Sequence, residues 1–176
     1  MTKNFIKNSS AVPPDLNLVA ELLLEALQSG ESPSLMVISN SMAPLLEKND
    51  QVILEPVDLE TLKKGDIITI KSNEGFLTHR VVSRSNREIR TKGDRNITLD
   101  PPHHIDQIIG RVASIKSIRL KKTINLNRGW HQIVGKLIYR ASIIEFFIIT
   151  RVKQRNPYRL IPVTFHAVMR LLTNTM

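Results

Sequence analysis

Between Leu16 and Gln28 apolar residues recur at helical spacing: Leu16, Val19, Leu23 and Leu27 share a face, with Leu18, Leu22 and Ala26 beside them. Asp15, after Pro13-Pro14, is placed to cap the first turn, and Ser29-Gly30 to end the last. Glu21 and Glu25 interrupt the apolar side, so the pattern predicts a short amphipathic helix rather than a membrane anchor. From residue 34 to about 118 the period changes. Short β-branched runs at 35–38, 51–54, 66–70, 77–82 and 108–115 are divided by turn residues at Asn49-Asp50, Lys64-Gly65-Asp66, Asn73-Glu74-Gly75 and Lys92-Gly93-Asp94. Gly65, Gly75 and Gly93 are expected to supply positive φ at those turns. Five or more strands with no helix between them predict a mainly β fold: a twisted antiparallel sheet or barrel-like core. Further on, an apolar segment at 133–150 is broken by Lys136, Arg140 and Glu145. Pro157 and Pro162 follow, and one more short helix is expected at 165–172. The chain thus reads as an N-terminal arm with a short helix (1–33), a β core (34–118) and a partly helical C-terminal extension (119–176), α+β overall.

Charge divides the chain in the same way. The formal net charge is +9, but residues 116–176 hold 12 Lys or Arg against Glu145 alone, a balance of +11. Residues 1–115 hold 13 basic and 15 acidic residues, a balance of −2. A near-neutral body with a basic extension points to two modules and to a polyanionic partner for the second. Aromatics are 5% of the chain and are not interleaved with the basic residues, so nucleic acid is not expected and an anionic membrane surface is favoured. The competing reading is that the apolar face at 133–150 packs on the β core or on the first helix.

Composition removes further classes. With 41% hydrophobic and 23% charged residues, the 176-residue chain can bury a core. The absence of cysteine excludes disulfides, thiol catalysis and Cys-ligated zinc or iron–sulfur sites. No apolar run reaches the roughly 20 residues that span a bilayer, and residues 1–10 are polar, without the apolar stretch of a secretory signal. The expected location is the cytoplasm or the cytoplasmic face of a membrane.

Any nucleophilic chemistry must then rest on Ser, Thr, Lys or a carboxylate. Ser39-Asn40-Ser41-Met42-Ala43-Pro44 follows an apolar strand, where a turn at Pro44 would expose a hydroxyl, although strand-end serines are ordinarily structural. His79 stands inside the apolar run that ends in Val81-Val82. Singly it reads as a hydrogen-bonded strand histidine, Asp94 as a turn residue and Asp100 as a loop acid. His103-His104 diverge if extended, and no acid is spaced as an obvious co-ligand, so neither a metal nor another cofactor is expected.

Taken in order, the boxes Ser41-Met42-x-Pro44, Asn49-Asp50-x-Val52, Lys64-Gly65-Asp66-Ile67, His79-Arg80-Val81-Val82, Thr91-Lys92-Gly93-Asp94-x-Asn96 with Asp100, and Ile109-Gly110-Arg111-Val112 resemble the signal peptidase I family. The likeness covers about residues 35–116 and is closest to the endoplasmic-reticulum and archaeal type, which uses Ser and His where bacterial relatives use Ser and Lys. It implies a β peptidase core in which Ser41 is the nucleophile, His79 the general base, and Asp100, with Asp94 as the alternate, the acid that orients the histidine. Ser39 and the Ser41 backbone N–H would stabilise the oxyanion. Asn49 stands where the family has glycine, a position that asparagine also tolerates in the left-handed region. Asn40 replaces a small residue and is expected to narrow the site, and the family's usual transmembrane anchor has no clear counterpart.

The chemistry suits those residue types. A serine hydroxyl needs a base during attack; a neutral imidazole, with a reference pKa near ~6.5, takes the proton and returns it to the leaving amine. An acid on the other ring nitrogen fixes the tautomer. The implied activity is a serine endopeptidase cutting an extended peptide or precursor after a small residue. The alternatives are a self-cleaving regulator on the same fold, which would call for lysine at His79 and a DNA-binding module ahead of the core, or a non-catalytic peptide- or nucleic-acid-binding module.

Overall fold

The computed structural model describes residues 15–126 and four helical positions beyond them, Leu137, Arg140, Ile143 and Ile144. The arm at 1–14 and nearly all of the apolar and basic segment from 127 onward, including the helix expected at 165–172, lie outside the described residues.

Helix α1 (Leu16–Gln28) has the predicted limits. Asp15 accepts the Asn17 backbone N–H at 2.8 Å, and the Ser29 N–H closes on Glu25 O. Then come β1 (Ser34–Met36), β2 (Gln51–Glu55), β3 (Ile67–Ser72), β4 (Gly75–Arg84), β5 (Glu88–Lys92), β6 (His103–His104), β7 (Ile108–Ser117) and β8 (Lys122–Asn125). All pairings are antiparallel, in one open sheet ordered β1-β2-β7-β3-β4-β5-β6. The protein is therefore mainly β with one short N-terminal helix; the sheet is open rather than a closed barrel. Strand β7 is its axis: β2 lies along one edge, while β3 and then β8 share the other.

Both faces of the sheet are covered. On one, Ala20, Leu23 and Leu27 of α1 and Met42, Leu45 and Leu46 of the β1–β2 connection bury against Val52, Ile109, Val112 and Ile115. On the other, Leu62 closes over Ile68, Ile70, Val81 and Ile89. Burial on two sides explains why β3 is apolar without strict alternation, as Ile67 and Ile68 enter different clusters. Gly110 lets the helix sit close, since a Cβ there would meet Glu55 O at 2.9 Å and Leu27 Cδ1 at 3.2 Å. Each fully buried leucine on α1 is worth about 1.5–3 kcal/mol of apolar transfer, so the helix is part of the core rather than an arm attached to it.

The core also runs past the expected boundary at 118, because β8 pairs with β7 from Ser117↔Lys122 to Ser114↔Asn125. Asn49 has φ 74, Gly65 φ 97 and Gly75 φ 134, as the turns require. Gly93 is different. Its φ is not in the left-handed region; a side chain is excluded there by close approach, described below.

Candidate active site

The nucleophile candidate lies on the connection between β1 and β2. The neck of this loop is closed by two backbone bonds, Val37 N–H to Asp50 O and Asn49 N–H to Val37 O, each 2.8 Å. The positive φ of Asn49 makes that closure feasible. Inside the loop, Met42 is buried at 1% exposure and anchors the residue beside Ser41. The Leu46 N–H binds Met42 O, and the Ala43 N–H binds Asn40 O. The Ala43–Pro44 bond is cis. Asn40 accepts the Lys48 N–H at 2.8 Å, so its side chain is tied to its own loop, which accounts for an amide where a small residue was expected. Asp50 holds the loop from below, taking the Glu47 N–H on Oδ2 and the Ile118 N–H on Oδ1.

Across from Ser41, β4 presents His79, 3% exposed. Its Nε2 lies 2.8 Å from Ser41 Oγ and its Nδ1 2.6 Å from Asp100 Oδ2. Burial disfavours charge on Asp100, but the hydrogen bond and charge of His79, followed by the Thr91 hydroxyl and the charge of His103, outweigh it and hold the carboxyl below its ordinary pKa. An ionised carboxylate only accepts, so Nδ1 carries the proton. In the neutral ring Nε2 is then the acceptor that faces the Ser41 hydroxyl. Ser39 Oγ lies 3.2 Å from Ser41 Oγ. With the Ser41 proton directed to His79, Ser39 donates to the Ser41 oxygen. The Ser41 backbone N–H meets no acceptor among the described residues. Ser39 and Ser41 of one loop, His79 of β4 and Asp100 of the loop after β5 thus form one hydrogen-bonded chain.

The alternate acid is engaged elsewhere. Asp94 takes Arg80 Nε on Oδ1 at 2.8 Å and Arg80 Nη2 on Oδ2 at 2.7 Å, in a buried fork-to-fork pair. Arg80 also donates Nη1 to Gly65 O. Asp94 is therefore a partner of Arg80, not of His79. The pair pins the turn after β5, where Gly93 passes so close to Ser41 that a Cβ would meet Ser41 O at 2.8 Å and the Asn96 amide at 2.8 Å. The same carbonyl of Ser41 accepts the Arg95 N–H at 2.8 Å. Lys92, 2% exposed, donates Nζ to Gly93 O at 3.3 Å.

A cavity of about 480 Å³ opens beside Ser41, between β1 with its continuation and the start of β4; Leu35, Val37, Met42 and Phe76 give it an apolar floor. The far edge of β1 pairs with no strand among the described residues, and Met36 and Ile38 stand 61% and 78% exposed beside it. His103 and His104 take no part in the chain from Ser41 to Asp100: the His104 ring lies 3.0 Å from Asp106, and His103 Nε2 is buried without a hydrogen-bond partner. No group of His, Asp and Glu among the described residues has the arrangement of a metal site.

The sequence reading did not single out Thr91, whose hydroxyl reaches Asp100 Oδ2 at 2.6 Å. A threonine in a strand is expected for its shape alone, so only its place in the Thr91-Lys92-Gly93-Asp94 box could have drawn notice. A scan of protein-family models and a search of curated proteins both find no match to this chain.

Proposed function

We propose that this chain is a serine endopeptidase of signal-peptidase type, cutting an extended peptide after a small residue. The observation that carries the reading is the relay from Ser41 through His79 to Asp100, with contacts of 2.8 and 2.6 Å. In the reaction Ser41 Oγ attacks the scissile carbonyl carbon while its proton passes to His79 Nε2. Asp100 stabilises the imidazolium that results. The Ser41 N–H and the Ser39 hydroxyl, which turns from the nucleophile to the new oxyanion, hold the developing charge; one such donor is typically worth on the order of 3 kcal/mol. His79 returns the proton to the departing amine; water, giving its proton to the same imidazole, then attacks the acyl carbon, and the Ser41 oxygen leaves with that proton handed back from His79.

Substrate geometry has its own support. The edge of β1 that meets no strand among the described residues suits an added strand, which would bind through main-chain hydrogen bonds with alternate side chains set into the cavity over Met42 and Phe76. The basic residues of 116–176 favour work at an anionic membrane surface, where each Lys or Arg contributes about 1 kcal/mol. The deciding experiment is cleavage of extended fluorogenic peptides with Ala, Gly or Ser before the scissile bond, comparing wild type with Ser41→Ala. Cleavage that disappears with the hydroxyl supports the peptidase. Binding without turnover in the wild type would instead favour a non-catalytic peptide-binding module.

A further inference from the structure

Thr91 is fully buried on β5, opposite Val81 of β4. Shape and strand preference at such a place would be met equally well by valine, with no polar atom to satisfy. The hydroxyl has one acceptor, Asp100 Oδ2 at 2.6 Å, which is the oxygen that also takes His79 Nδ1–H at 2.6 Å. The main chain repeats the connection, since the Asp100 N–H binds Thr91 O at 2.9 Å. Asp100 lies on the loop between β5 and β6, outside regular structure, so only such contacts can fix its carboxylate.

We infer that Thr91 is a positioning residue: its hydroxyl locks the Asp100 carboxylate in the orientation that receives His79 Nδ1–H, and so holds Nε2 against Ser41. The inference rests on the peptidase reading of the same site. The other ionisable groups that act on Asp100 are His79 from β4 and His103 from β6, and only His79 shares the hydrogen bond to Oδ2. Removal of the Thr91 hydroxyl leaves the carboxylate free to turn about its side-chain torsion and takes one donor from an oxygen that is partly desolvated.

The test joins kinetics to a signal that needs no substrate. In ¹⁵N-labelled full-length protein, the His79 Nδ1 proton is expected far downfield in the wild type and in Thr91→Ser, and displaced or exchange-broadened in Thr91→Val. In peptide cleavage, Thr91→Val lowers kcat about 10-fold with KM little changed, and Thr91→Ser recovers most of the loss. In an Asp100→Ala background the same Thr91→Val change costs nothing further, because the group it positions is gone. A wild-type proton signal and wild-type kcat in folded Thr91→Val overturn the inference, as does an equal loss with and without Asp100. Should Thr91→Val not fold, Thr91→Ala takes its place: a folded alanine variant that keeps the wild-type Nδ1 signal overturns the assignment, and one that loses it while Thr91→Ser keeps it supports it. If the wild type cleaves no peptide, the peptidase reading fails, while the Nδ1 signal still decides what Thr91 does to Asp100.

Discussion

Asp94 and Asp100 each meet a different side chain of β4, Arg80 for the first and His79 for the second, and substitution separates their roles. Asp100→Asn is expected to lower kcat roughly 1,000-fold or more, by favouring the wrong imidazole tautomer, with the fold intact by circular dichroism. Asp94→Ala leaves the Arg80 guanidinium buried and unpaired, and is expected to cost about 3–5 kcal/mol in chemical denaturation. Asp100 also gives a pH signature. Its folded pKa is depressed, so its ionisation stabilises the fold above the ordinary carboxylate value of ~3.9, and that contribution fades as pH falls through this value toward the folded one. The stability gap between wild type and Asp100→Asn, from urea titrations, should therefore be larger at pH 6 than at pH 3. Ser41→Ala and His79→Ala should each reduce cleavage by about 10,000-fold or more without loss of structure, and the double variant should be little worse than either.

The turn after β5 brings two elements together without a covalent link, and its least conspicuous residue sets the spacing. Gly93→Ala would press a methyl group against Ser41 O and the Asn96 amide. It is expected to cost about 1–3 kcal/mol and, on the peptidase reading, to lower kcat by displacing Ser41, both measurable on one preparation. The sequence reading explained Gly93 by turn conformation because close approach between residues 41 and 93 is a tertiary fact that no local pattern carries. Helix α1 was legible to the residue, since its period and the Asp15 cap are local. Strand β5 was not: Glu88, Arg90 and Lys92 make it look like a surface segment, although Lys92 is buried. Strand β8, with Lys122 and Thr123 exposed, likewise reads in sequence as the start of the extension. Of the candidate site, Ser41, His79 and Asp100 were legible only as an ordered set of boxes, and the choice between Asp94 and Asp100 required geometry.

On the scale of the whole molecule, the described residues form a near-neutral sheet domain, and the basic excess lies largely beyond it. Among the described residues no helix is long and apolar enough to cross a membrane. The full chain is expected to sediment with vesicles containing anionic lipid at low salt and to be released at high salt, as surface adsorption requires. A chain ending after Leu126 should remain in the supernatant. That end point, rather than one at the expected boundary of 118, keeps β8 on the sheet. Recovery of the full chain in the supernatant at low salt would exclude membrane adsorption, and resistance to salt extraction would indicate insertion instead.

The Asp50 carboxylate has a mechanical consequence. With one oxygen on the Glu47 N–H and the other on the Ile118 N–H, it rivets the loop that carries Ser41 to the point where the chain leaves β7. Arg119 adds a second rivet to Glu47 at 3.4 Å. The β7–β8 turn is therefore tied to the loop that carries Ser41, while the chain beyond leaves the sheet from the other end of β8, where the Leu126 N–H binds Ala113 O. Tension on the chain beyond Leu126 is taken first by the pairing of β8 with β7. The backbone on which Ser41 stands is loaded only through the Asp50 and Arg119 contacts, which shields it from a pull at the membrane side.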